Sequence, residues 1–134
     1  MSLLIGDNDT FDIEVFFLEQ GNEMKFFSKK DAPENCKAET FTFKKPAWLE
    51  MRTMMAQSII PSGGTVVLNP YVFMDMKIKS LLKKWTLKDD KDNLIKVTPE
   101  NIDRLHHALC DHLSGRIDSF LEVAPIETKE PEQI

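Results

Sequence analysis

At Pro46 the hydrophobic period of this chain changes, and the change limits the folds open to it. Before Pro46 the apolar residues follow a period near two. The run "FDIEVFFLE" sets Phe11, Ile13, Val15 and Phe17 against Asp12, Glu14, Phe16 and Leu18. Aromatic and β-branched residues at that spacing predict a strand. "EQGNE" supplies turn residues, and "MKFFS" returns as the partner strand of a hairpin. After the polar, proline-containing stretch "KKDAPENC", "KAETFTF" alternates again, with Phe41 and Phe43 opposite Thr40 and Thr42. The expectation is a three-stranded antiparallel meander over about residues 10–43.

From Pro46 the spacing becomes three and four. Trp48, Met51, Met55 and Ile59 fall on one helical face, with Pro46 near the first turn and "PSGG" as the stop. "TVVL" then reads as an extended link or a brief strand. Asn69–Pro70 is a strong helix start, because the Asn side chain caps free N–H groups and Pro needs none at that position. Tyr71, Met74, Ile78, Leu81 and Trp85 continue as a stripe, with Lys77, Lys79, Lys83 and Lys84 among the charges placed around it. "TLKDDKDNLIKV" reads as a long loop or small hairpin.

Thr98–Pro99 repeats the start signal, and Ile102, Leu105, Leu109, Leu113, Ile117 and Leu121 form the closing stripe. Gly115 marks a weak point or a division into two helices, and Pro125 a stop. The pattern predicts one α+β domain over 1–124: a small N-terminal antiparallel β-unit, then a bundle of three to four helices over about 46–124. Residues 125–134 read as a flexible polar tail.

Hydrophobic residues at 42% beside 29% charged ones are an ordinary balance for a globular chain of 134 residues. A net charge of −5 argues against a general nucleic-acid binder, and no stretch approaches the length of a membrane span. The start "MSLLIGDNDT" lacks the basic opening of a signal peptide, and Cys36 and Cys110 set no disulfide framework. The expected location is a cytoplasm.

All three histidines lie in "RLHHALCDHL" with Cys110 and Asp111. On a helix His106 and Cys110 share a face, as do Asp103, His107 and Asp111. A structural zinc site needs four ligands and a catalytic one three with an open position, and no histidine lies outside this stretch. A histidine-rich helix face around a leucine stripe is the simpler reading, and a small metalloenzyme the rival one. Met51, Met54, Met55, Met74 and Met76 lie on two neighbouring helices, where flexible thioethers suit either a loosely packed core or a groove for an apolar segment.

Three segments carry a resemblance: "FKKPAWLEMRTMMAQSI", "NPYVFMDMKIKSLLKKWTLKDD" and "IKVTPENIDRLHHALCDHLSGRI". They cover about residues 38–121. In layout the chain resembles the tail assembly chaperones of long-tailed bacteriophages, small proteins encoded before the tape-measure gene, and related baseplate-hub assembly proteins. The resemblance implies a non-enzymatic binder in the host cytoplasm, whose client is a tape-measure or baseplate-hub protein. It implies no catalytic residue, metal, cofactor, nucleic acid or membrane, and leaves a homo-oligomer open. Trp48, Met51, Met55, Met74 and Trp85 are the candidate partner-binding residues, as contact or core positions. The alternative function is a structural subunit of the virion tail, neck or baseplate.

Overall fold

The computed structural model describes residues 3–121. The polar tail expected at 125–134 lies outside the described residues. Strand β1 (Thr10–Gln20) is the longest and pairs on both sides. β2 (Glu23–Phe27) returns along its C-terminal half, Phe17 opposite Phe26. β3 (Lys37–Lys44) runs along the other side, Ile13 opposite Phe41 and Phe11 opposite Phe43.

The order β2-β1-β3 corrects the expected meander, which would have placed β2 in the middle. The loop 28–36 carries the chain across to the far edge of β1. Alternation places the two faces as expected: Phe11, Ile13, Val15, Phe41 and Phe43 are buried, while Asp12 and Glu14 are exposed. On the outward face Thr42 donates its hydroxyl to the Asp12 carboxylate at 2.6 Å.

α1 (Trp48–Gln57) starts at Ala47, whose N–H is taken by Glu50 at 3.1 Å. Lys44 holds the same carboxylate at 2.9 Å, tying the end of β3 to the helix and keeping the Glu50 carboxyl below its ordinary range. The helix stops at Gln57, short of the expected "PSGG". β4 (Ile59–Ser62) and β5 (Thr65–Leu68) instead form a separate two-stranded hairpin. Gly63 and Gly64 turn it with φ of +56° and +84°, a conformation that side chains other than glycine's resist.

α2 (Pro70–Leu81) starts as its sequence predicts: the Asn69 side chain accepts from the N–H groups of Tyr71 and Val72. It ends four residues before Trp85. Leu82 turns extended (ψ 122°), and β6 (Leu82–Trp85) joins the sheet beside β3, with Phe41 opposite Trp85.

α3 (Pro99–Asp103) is capped by Thr98, whose hydroxyl accepts from Asn101 N–H at 3.1 Å. The chain breaks at 104–106, and α4 (His107–Leu121) runs through Gly115 without interruption. The division therefore falls ahead of the glycine, at a point where His106 Nδ1 accepts the Ala108 N–H at 3.1 Å.

The architecture is α+β: a four-stranded antiparallel sheet with helices against its inner face. Ile78, Leu81, Ile102, Leu113, Ile117 and Met54 meet the inward sheet residues in one buried cluster. Phe11 stacks on Phe43 at 5.7 Å and on Phe120 at 4.9 Å, joining the sheet to the end of α4. Lys77, expected in the solvated set, is buried. Its ammonium pairs with Asp118 on α4 and sits 4.7 Å from the Phe73 ring. Burying an ammonium is costly unless it is paired, and Asp118 supplies the pair.

Candidate functional site

The histidine stretch resolves into three separate environments. His106 caps α4, and its ring stacks on that of His107 at 4.9 Å. His107 lines a cleft of about 290 Å³ with Cys110, Asp75, Asp103 and Asp111. The expected group Asp103, His107 and Asp111 does meet there. Lys79, however, bridges Asp103 at 2.7 Å and Asp75 at 3.0 Å, so two of the three aspartates are already paired. Among the described residues no group of three or more His, Cys, Asp and Glu side chains is placed to hold a metal ion. The Cys110 thiol is pushed up by burial and then by the nearby Asp111, Asp75 and Asp103 carboxylates, the opposite of what a nucleophilic thiolate needs.

His112 faces the sheet. Its ring lies flat on Phe26, centroids 4.4 Å apart and planes 6° from parallel, with the Arg116 guanidinium 3.4 Å from Nε2. Burial first, and Arg116 second, hold its pKa below the ordinary value. The unfolded chain then takes up the proton more readily than the folded one. Stability contributed by neutral His112 is fully present above about pH 6.5 and is lost as pH falls through the lower folded value. A His112→Phe variant, which keeps the stack, is expected to lose less stability than wild type between pH 7.5 and pH 5. Urea midpoints at the two pH values check this; identical losses would remove His112 from the account.

The lysines placed around the α2 stripe also disperse: Lys77 and Lys79 are paired with aspartates, while Lys83 and Lys84, on β6, stay exposed. Among the described residues no helix is long and apolar enough to cross a membrane.

What stands out is apolar. Ten of the fifteen large hydrophobic residues exposed among the described ones lie between Trp48 and Val72, in α1, the β4–β5 hairpin and the first turn of α2. No charged residue occurs between Arg52 and Asp75. Scattered apolar surface is ordinary, whereas here two thirds of these residues fall in about one fifth of the chain.

Inside this region α1 is rotated from its expected orientation. Met54 and Ser58 are buried and Met51 half-buried, while Trp48 is 74% exposed and Met55 45%. The inward face is thus Met51, Met54 and Ser58, and not Trp48, Met51, Met55 and Ile59. Apolar residues at 48, 49, 51, 54 and 55 surround the helix, so periodicity could select either face. Packing selects Met54, and the Ser58 hydroxyl closes the end by donating to Met54 O at 2.7 Å.

Outside, the Arg52 guanidinium lies 4.6 Å from the centre of the Trp48 ring. Leu49 and Met54 on α1 face Met76 and Ser80 on α2 across a second groove of about 290 Å³.

The five candidate residues therefore do not form one patch. Trp48 and Met55 lie on the outer side of α1, Met51 packs against the core, and Met74 lines the cleft between α2 and α4. Of the two alternatives, contact or core, Trp85 takes the core. It is 3% exposed, meets Phe41 edge to face at 6.3 Å, and donates its indole N–H to Ile95 O at 2.7 Å. No surface is left on it for a partner.

Leu49, Val72 and the hairpin residues after Ile59 belong to the apolar region although the stripe reading passes over them, while Tyr71 and Ile59, which it places on helical stripes, are exposed. Two apolar runs flanking Gly-Gly in "IIPSGGTVVL" are the signal that marks the hairpin. No protein-family profile matches the chain, and no curated protein or solved structure is significantly similar to it.

Proposed function

We propose that this chain is a non-enzymatic assembly chaperone of the phage-tail type, holding an apolar segment of a long helical tail protein in the host cytoplasm. The observation that carries the reading is the exposed Trp48–Leu49 pair beside the α1–α2 groove, whose apolar lining is Leu49, Met54 and Met76. An amphipathic helix docks into such a groove by its apolar face, and methionine side chains adapt to clients of differing shape. The net charge of −5 lies outside the uncharged stretch between Arg52 and Asp75, which keeps the loaded complex dispersed. The client is a tape-measure or baseplate-hub protein, the partner that the layout of residues 38–121 suggests.

Co-expression with a tape-measure or baseplate-hub protein tests the reading. The client is expected to become soluble and to co-purify with the chain. A client equally insoluble with and without it would refute the proposal. Mass spectrometry of purified particles separates an assembly factor, which leaves, from a tail subunit, which stays at fixed stoichiometry.

A further inference from the structure

On the side of β2, β1 is flanked over only part of its length. The hairpin turns through Gly21 and Asn22, so Gln20–Glu23, Leu18–Lys25 and Phe16–Phe27 are its hydrogen-bonded pairs. At Ser28 the chain leaves the sheet for a short 3-10 turn over Lys29–Asp31. Residues 10–15 of β1, about 20 Å of strand, are left paired with β3 alone. Backbone groups alternate in direction along a strand. The N–H and C=O of Asp12 and Glu14 therefore point, with those of Phe16, into the lane that β2 has left.

This lane has a floor. Helix α4 runs beneath it: His112 lies on Phe26 near the end of β2, Arg116 donates to Glu14 O at 3.3 Å, and Phe120 stacks on Phe11. Between α4, β1 and the end of β2 the opening is a groove of about 510 Å³, with Lys29 where the lane begins. The Asp12 carboxylate accepts the Thr42 hydroxyl, and the Arg116 guanidinium reaches the Glu14 carbonyl and His112 Nε2. Among the described residues, however, Asp12, Glu14 and Arg116 form no ion pair.

We infer that the lane takes an extended segment of another protein as an added strand, antiparallel to β1, with a basic–acidic–basic sequence. Opposite Asp12 and Glu14 the segment's side chains point outward beside the two carboxylates, where Lys or Arg is the complementary neighbour. The residue between them points inward to Arg116, whose planar fork takes a carboxylate in two hydrogen bonds. The next inward position, opposite Phe11, lies over Phe120, which is 51% exposed, and takes an apolar side chain. Main-chain hydrogen bonds hold such a strand, and the alternate side chains select it.

Charge chooses this occupant over the others. Carboxylates along an edge deter indiscriminate strand pairing, and the same carboxylates favour a segment that brings cations at alternate positions. No triplet of Lys or Arg, Asp or Glu, then Lys or Arg occurs in this chain, so a second copy does not supply the segment. None of the residues lining the lane lines the groove between α1 and α2. The inference therefore goes beyond the client-holding reading, and either can fail without the other.

The capped peptide acetyl-Ser-Lys-Glu-Lys-Val-Thr-amide, titrated into the full chain and followed by amide NMR, tests it. Saturable binding is expected at millimolar peptide, with hydrogen exchange of the Asp12 and Glu14 amides slowed about tenfold. The charge-exchanged peptide, with Glu-Lys-Glu in place of Lys-Glu-Lys, is expected not to bind. Glu14→Lys changes an exposed side chain, keeps the fold, and is expected to weaken the first peptide about tenfold. On that variant acetyl-Ser-Glu-Glu-Lys-Val-Thr-amide, which sets Glu opposite position 14, is expected to regain the loss. The inference is overturned by a wild type that shows no saturable binding, or by binding that leaves the Asp12 and Glu14 amides unprotected. A Glu14→Lys protein that binds the first peptide as wild type does overturns it equally.

Discussion

Trp85→Ala is expected to lower the stability of the fold by about 3–5 kcal/mol, as for other buried aromatic residues cut back to alanine. The indole is 3% exposed and meets two other parts of the chain. It holds β6 to the sheet through its edge-to-face contact with Phe41, and its Nε1–H donates to Ile95 O, fixing the charged turn that follows β6. Alanine leaves a cavity beside Phe41 and a carbonyl without its donor, and both costs fall on the same variant. Domains of this size have about 5–15 kcal/mol in total, so much of the chain is expected to unfold near physiological temperature. Trp85→Phe separates the two contributions, because it retains most of the packing and loses the hydrogen bond, at about 1–2 kcal/mol. Urea unfolding followed by circular dichroism measures both. A Trp85→Ala midpoint within experimental error of wild type would show that Trp85 does not hold these elements together.

The same residue marks where sequence reading succeeds and where it stops. Caps are local chemistry. Asn69–Pro70 and Thr98–Pro99 start helices because the side chain that accepts the free N–H groups lies within three residues of them. Alternation over Phe11, Ile13 and Val15 is likewise local, and its faces are legible. The helix end is not. Tyr71, Met74, Ile78, Leu81 and Trp85 continue one helical stripe on paper, yet Leu82–Trp85 gains more by hydrogen bonding to β3 than by adding a fourth helical turn. That gain depends on where β3 lies, which no local pattern encodes.

The sheet order has the same origin. β1 has two free edges, and a hairpin to β2 uses only the C-terminal half of one of them. Lys77 reads as a surface lysine until Asp118, far along the chain, is brought beside it. The face of α1 was open to two solutions because apolar residues surround that helix, and only contact with α2 and the sheet settles which residues turn inward. As a result the two tryptophans, both read as contact or core positions, divide: Trp85 lies in the core and Trp48 in solvent.

Trp48→Ala is expected to do the reverse of Trp85→Ala: to leave stability within about 0.5 kcal/mol of wild type and to weaken client binding by about 2–4 kcal/mol. At 74% exposure the Trp48 side chain contributes little to the core, and its neighbour Arg52 at 4.6 Å orients the ring without enclosing it. A large exposed aromatic residue next to Leu49, which lines the groove, is the kind of anchor that dominates an interface, since its apolar area is desolvated only on binding. Arg52→Ala should cost less, about 0.5–1 kcal/mol, because it removes the orienting cation and leaves the ring. Calorimetric titration with the purified client segment gives the binding change, and urea unfolding of the same samples gives the stability. If Trp48→Ala binds as wild type does, Trp48 anchors no client and the assignment to this face of α1 fails. If Trp48→Ala instead unfolds with Trp85→Ala, the outer face of α1 is part of the core and offers no docking surface. Only loss of affinity with stability retained assigns the client to the outer face of α1.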